Sequence, residues 1–194
     1  KMTFELTPFK ISNSISAMLH LFEPKIQEKN LKLITEYDSN IPEVLLGDSV
    51  RLHQIILNLV SNAVKFTSEG SITVKVKLLN SDEENVTIEF TVSDTGIGIE
   101  EDKIKSIFDD FQQASSGTSR LYGGTGLGLA IVKNLVENQG GTVNVKSNIN
   151  EGSMFSFTLK FKKTNAYTLG DGEKMEVEKN IKNIKVLVVE DIAL

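Results

Sequence analysis

The 194-residue sequence contains no cysteine. That excludes a disulfide scaffold and a thiolate metal site, and it is compatible with a reducing compartment. A basic excess is also missing. Lys and Arg number 21 against 26 Asp and Glu, a formal net charge of −5, so the electrostatic footprint of a nucleic-acid binder is absent. No apolar run approaches the length of a membrane span, no signal peptide is visible and no internal repeat recurs. The chain opens on Lys1 rather than Met, so it is expected to be a fragment, with any targeting element outside it. Two familiar nucleotide motifs are missing too. The P-loop needs a Lys followed by Ser or Thr after its glycines, and the dinucleotide fingerprint needs G-x-G-x-x-G after a strand; neither occurs.

What is present suits one medium α/β domain with a tail, since 40% of the residues are hydrophobic. Phe9, Ile11, Ile15, Met18, Leu19, Phe22 and Ile26 recur at intervals of three and four. That predicts a helix over 8–28 with one buried stripe, kinked or ended by Pro24. LKLITEY (31–37) alternates as a strand does. In DSVRLHQIILNLVSNAVKF (48–66) Asp48 is a suitable N-cap, and Leu52, Ile55, Ile56, Leu59, Val60 and Ala63 keep helical spacing. SITVKVKLL (71–79) and VTIEFTVSD (86–94) predict an antiparallel hairpin with a longish loop over NSDEEN. IEEDKIKSIF (99–108) predicts a short helix with an acidic first turn. Residues 112–122 lack periodicity and predict a mobile loop; a helix follows over about 126–138, stopped by Asn138–Gly141. TVNVKSN (142–148) and SMFSFTLKF (153–161) predict a second hairpin around Gly152. Residues 163–183 read as a polar linker, and IKVLVVED (184–191) as a buried strand of a parallel sheet, too little to make a domain by itself.

Three features could carry chemistry. Gly96, Gly98, Gly117, Gly123, Gly124, Gly126 and Gly128 crowd into one part of the chain. Tight turns account for a pair of glycines, whereas such a cluster points to backbone lying close to a ligand or hinging a loop. In GGTGLGLAI (123–131) free amides just ahead of a helix favour polyphosphate. Asp94 in DTGIGI (94–99) ends a strand beside two glycines. It is either a turn-capping carboxylate or, if buried, an acceptor for a donor such as an exocyclic amine. Asn58, Asn62 and Lys65 fall near one face of the 48–66 helix, as a solvated stripe or as amide and ammonium groups suited to Mg²⁺ and phosphate.

Taken together, NLVSNAVKFT (58–67), DTGIGI (94–99), IFDDFQQA (107–114) and GGTGLGLAI (123–131) resemble, in order and spacing, the N, G1, F and G2 boxes of sensor histidine kinases. Residues 1–162 are thus similar to the catalytic ATP-binding domain of that family, whose superfamily includes gyrase B, mismatch-repair ATPases and a heat-shock chaperone. The resemblance implies a two-layer α/β sandwich of the Bergerat type, with a mixed sheet packed on helices and ATP held between the helices and a lid at about 112–122. It implies that Asn62 ligates Mg²⁺, that Asn58 and Lys65 serve as polar and phosphate-contacting groups, and that Phe66 lies near the nucleotide. It makes Asp94 the reader of adenine, with Gly96 and Gly98 as the G1 glycines, and it makes Phe108 and Phe111 the F box beneath the lid. Arg120 becomes a basic lid residue that reaches phosphate, and Gly124, Gly126 and Gly128 the G2 glycines. Ile99, Thr125 and Leu127, inside the same boxes, complete the implied ATP-binding set. Asn58, Lys65 and Arg120 are the implied catalytic residues. Hydrolysing relatives carry Glu at the position of Asn58, and an amide cannot accept the proton of an attacking water.

IKVLVVEDIAL resembles the first strand of a receiver domain, with Glu190 and Asp191 matching its acidic Mg²⁺ pair. The implied parent is a hybrid histidine kinase and homodimer. This fragment is then expected to be a monomeric, cytoplasmic piece that binds Mg-ATP without touching membrane or nucleic acid, and the parent's anchoring stays open. Its partners would be the parent's dimerisation and phosphotransfer domain and the receiver. No H box is present: His20 is followed by Leu21 and His53 by Gln54, so both read as ordinary helix residues. Two rivals stay open, an ATPase of the same superfamily and a non-catalytic nucleotide-binding or interaction module.

Overall fold

The computed structural model describes residues 3–108 and 127–164. The expected loop at 112–122, the strand at 184–191 and the linker beyond residue 164 lie outside them. The elements in chain order are β1 (Thr7–Phe9), α1 (Ile11–His20), α2 (Glu23–Glu28), β2 (Lys32–Tyr37), β3 (Leu45–Gly47), α3 (Ser49–Phe66), β4 (Ser71–Ser81) and β5 (Asn85–Asp94). After these come α4 (Glu101–Ile104), α5 (Gly128–Glu137), β6 (Thr142–Asn148) and β7 (Gly152–Lys163).

The strands make one mixed sheet in the order β1-β3-β7-β5-β4-β2, with β6 also paired to β7. Every pairing is antiparallel except β2 with β4. Alternation explains the layers. Ile72, Val74, Val76, Ile88, Phe90, Val92, Phe155, Phe157 and Leu159 point to one face and are buried there. Against that face pack Leu52, Ile55, Ile56, Leu59 and Val60 of α3, with Ile11 and Ile15 of α1 and Val132 and Val136 of α5. The rings of Phe90 and Phe157 stack at 4.8 Å between centroids. The opposite face carries Lys75, Lys77, Lys160 and Lys162 and stays exposed. The fold is therefore the two-layer α/β sandwich the sequence implies. No helix among the described residues is long and apolar enough to cross a membrane.

Several expectations are corrected. The stretch 8–28 is not one helix: Phe9 belongs to β1, α1 ends at His20, and Pro24 lies in the first turn of α2. A proline costs nothing there, since that turn's N–H groups have no intrahelical acceptor. The loop between β4 and β5 is shorter than NSDEEN suggests. The Asp82 carboxylate accepts from the backbone N–H groups of Glu84 and Asn85 at 2.9 and 2.7 Å, closing the turn locally. The 99–108 helix is regular only over Glu101–Ile104 and continues as turns. β1 and β3, at three residues each, are too short to display alternation in the sequence.

Candidate functional site

Three segments build the candidate site: the C-terminal half of α3, the turn after β5 and the β6–β7 turn. The helix is fixed at its start by Asp48, which accepts from the Arg51 N–H at 2.9 Å and from the Glu5 N–H at 3.2 Å. Eighteen residues later it ends at Phe66. Asn58, Asn62, Lys65 and Phe66 all lie on it, each partly exposed beside the buried apolar stripe. The Asn58 Nδ2 donates to its own helix at the Gln54 carbonyl, 2.9 Å away. Its Oδ1 lies against the first residue of α5: a Cβ on Gly128 would come within 3.0 Å of it. Lys65 places its Nζ 4.7 Å from the centre of the Phe66 ring, a cation–π contact, and burial draws its ammonium below the usual lysine value.

The second segment is the turn after β5. Asp94 closes that strand between Ile72 of β4 and Ser153 of β7. Burial pushes its carboxyl above the ordinary aspartate value, opposed by hydrogen bonds from the backbone N–H groups of Gly96 and Ser153. The Gly96 N–H reaches Asp94 Oδ1 at 2.8 Å. A Cβ on Gly96 would sit 2.8 Å from that same oxygen and would strike the Phe66 carbonyl. Glycine is therefore what allows the backbone to pass between Asp94 and the end of α3. Gly98 has φ +71° and packs its Cα side on the Asn148 backbone, where a side chain has neither room nor a favoured conformation.

The third segment is the β6–β7 turn, which sequence reasoning did not connect to the site. Ser147 accepts the Ile99 N–H at 2.8 Å, donates to the Gly152 carbonyl at 2.8 Å and lies 3.0 Å from the Ser153 hydroxyl. Gly152, at φ +100°, runs directly under the Asp94 backbone. Ser147 and Ser153 are opposite one another in the hairpin register. The predicted hairpin could have paired them, but only tertiary packing brings that hairpin to Asp94.

Of the residues singled out from sequence, Asn58 and Gly128 are brought together, as are Phe66, Asp94 and Gly96. Ile99 and Gly98 are tied to the β6–β7 turn, and Leu127 is the N-cap of α5. Phe108 turns to the sheet, its ring meeting Phe155 edge-on at 6.3 Å. Phe111, Arg120, Gly124, Thr125, Gly126, Glu190 and Asp191 lie outside the described residues. Among the described residues no cluster of three or more His, Cys, Asp or Glu could hold a metal by itself. The donor at hand is the amide oxygen of Asn62, which suits Mg²⁺, an ion that takes few protein ligands when phosphates supply the rest. The half-buried Asp94 carboxylate, beside a glycine whose Cβ would fill the approach, fits a planar ligand bearing an amino group.

Residues 47–163 match the family described as "Histidine kinase-, DNA gyrase B-, and HSP90-like ATPase". Over 159 residues, 82% of this chain, the sequence is 42% identical to hybrid signal transduction histidine kinase B of Dictyostelium discoideum, covering 8% of that protein. It is 40% identical over 163 residues to the sensor protein GacS of Pseudomonas syringae pv. syringae, covering 84% of this chain and 18% of that one. The chain thus spans a small part of the curated relatives it matches. Among solved structures, full-length ShkA in complex with AMPPNP superposes with a TM-score of 0.72 at 33% identity, over 84% of this chain and 32% of that one. The catalytic domain of the histidine kinase ThkA superposes with a TM-score of 0.63 at 29% identity, over 80% of this chain and 97% of that one.

Proposed function

We propose that this chain, which belongs to the histidine kinase-, DNA gyrase B- and HSP90-like ATPase family, binds Mg-ATP and donates the γ-phosphoryl group to a histidine of its parent's dimerisation and phosphotransfer domain. The observation that carries the reading is the convergence on α3. The turn after β5 meets the helix at the Phe66 carbonyl, and the start of α5 meets it at Asn58. Adenine is read by Asp94, whose carboxylate accepts from the exocyclic amine. The phosphates lie toward Asn58, Lys65 and the amides at the start of α5, with Arg120 and Gly124, Thr125 and Gly126 joining them. Asn62 holds Mg²⁺, which offsets phosphate charge.

Transfer rather than hydrolysis follows from position 58. Its Nδ2 donates one N–H to the Gln54 carbonyl, and its Oδ1 is an amide oxygen, which is no base for water. With water left unactivated, the bond from the γ-phosphorus to the bridging oxygen breaks as an imidazole nitrogen bonds to phosphorus, and ADP departs. In such transfers the protein positions groups and compensates charge more than it does covalent chemistry. Residues 1–162 form the ATP-binding unit in this reading. Residues 163–183 form a linker, and 184–194 open a receiver, with Glu190 and Asp191 in its acidic pair.

The test adds the parent's helical phosphotransfer domain to this chain with γ-labelled ATP. Label on that domain's histidine is the expected result. Free phosphate alone points to a hydrolysing ATPase, and absence of both points to a non-catalytic nucleotide-binding or interaction module.

A further inference from the structure

The C-terminal end of α3 carries both Lys65 and Phe66. The last carbonyls of a helix lack intrahelical partners, and a cation is favoured beside them. Here the cation comes from a distant part of the chain. Lys29 is the C-cap of α2. Asn30 follows in the left-handed region at φ 53°, and the Leu31 N–H returns to the Ile26 carbonyl at 2.9 Å, so the α2–β2 corner is closed on itself. From that corner the Lys29 Nζ donates to the carbonyls of Val64 at 2.6 Å, Thr67 at 3.0 Å and Lys65 at 3.3 Å. An ammonium has three N–H groups, and here it has three acceptors.

The carbonyl that Lys29 leaves out is the one the site uses. Phe66 O accepts the Ile97 N–H at 3.3 Å and abuts Gly96. Four consecutive carbonyls, 64 to 67, are thus divided between one upstream side chain and the turn that carries Asp94.

We propose that Lys29 is a positioning residue of the nucleotide site: by gathering the carbonyls of Val64, Lys65 and Thr67 it turns the Phe66 carbonyl toward Gly96 and Ile97. It thereby sets the spacing between Asp94 and the side chains of Lys65 and Phe66. The proposal rests on the ATP-binding reading above and adds a residue that touches none of the ligand.

The experiment compares the full chain with Lys29→Met, which keeps the stem and removes the charge and donors, and with Lys29→Arg, which restores both. Dissociation constants for a non-hydrolysable ATP analogue are measured by calorimetry well below each melting point. Lys29→Met is expected to bind about tenfold more weakly and Lys29→Arg to recover to within about threefold of the parent. In ¹H–¹⁵N spectra the Gly96 and Ile97 peaks of Lys29→Met should move while those of Ile88 and Phe90 in the central strand stay in place. A helix cap that serves stability alone would lower the melting point without this pattern. A folded Lys29→Met chain that binds within about twofold of the parent overturns the proposal, and so does an Arg variant as weak as Met. If the parent itself fails to bind the analogue, the ATP-binding reading is what has failed; unmoved Gly96 and Ile97 peaks then overturn the role of Lys29 and moved ones sustain it. Should Lys29→Met not fold, Lys29→Gln, with two uncharged N–H donors, carries the same comparison.

Discussion

In the proposed reading, Asp94 would trade stability for binding. The Gly96 N–H donates to Oδ1 at 2.8 Å and the Ser153 N–H also donates to the carboxylate, so a ligand's amino group would take the acceptor positions these leave. In Asp94→Asn the amide oxygen keeps the Gly96 bond and the NH₂ takes the second position, where donor faces donor. Binding of an ATP analogue should fall by about 100-fold or more in calorimetry. Unchanged affinity would remove Asp94 from the adenine site. Stability should move the other way. Burial raises the folded-state value above the 3.8 of a free carboxyl. Between those two values the folded chain holds more protons than the unfolded one, so stability declines as pH rises and the cost is fully present above the raised value. Replacing the carboxylate removes that cost. The melting point of Asp94→Asn should therefore exceed the parent's, and by more at about pH 7 than at about pH 4.

At the scale of elements, α3 was the most legible part of the chain because it states itself locally. Asp48 at its start and apolar residues at helical spacing suffice to place it, and the structure ends it at Phe66. β4, β5, β6 and β7 were legible for the same reason, their alternation matching the buried face. What escaped reading depends on partners distant in sequence. β1 and β3 have three residues each and exist because they pair with one another and, through β3, with the end of β7. The grip of Lys29 on the far end of α3 spans 35 residues to Val64 and leaves no local signal. Asp48 combines both kinds of information. Its role as N-cap was readable; its second oxygen, holding the Glu5 N–H from 43 residues upstream, was not. Asp48→Ala should consequently cost more than an isolated cap, about 1.5–3 kcal/mol in urea denaturation, since two N–H groups lose their acceptor beside a 6% exposed position. A loss under about 0.5 kcal/mol would mean that water replaces both bonds.

At the scale of the molecule, the four boxes made the sandwich legible before any geometry, whereas the parallel addition of β2 to β4 at the sheet's edge had no signature in the residues themselves. The same scale decides whether the chain can phosphorylate itself. It holds two histidines. His53 lies on α3 with its Nε2 buried and without a hydrogen-bond partner, and burial depresses its imidazole below the usual value. That nitrogen is closed to an attacking geometry, which needs the acceptor within about 3–3.5 Å of phosphorus and in line with the leaving oxygen. His20 is exposed at the end of α1, and its Nδ1 is 2.7 Å from the Glu23 carboxylate. That contact engages one of its two ring nitrogens. Neither histidine is immediately followed by the acid of a phosphoacceptor box: Leu21 follows His20, with Pro24 four positions on, and Gln54 follows His53. Incubated alone with γ-labelled ATP, the chain should acquire no acid-labile phosphohistidine, even as it binds the nucleotide. Mass spectrometry that finds phosphate on His20 or His53 in stoichiometric amount would show that the acceptor is built into this unit, and the reading of the chain as a donor to a separate domain would fall with it.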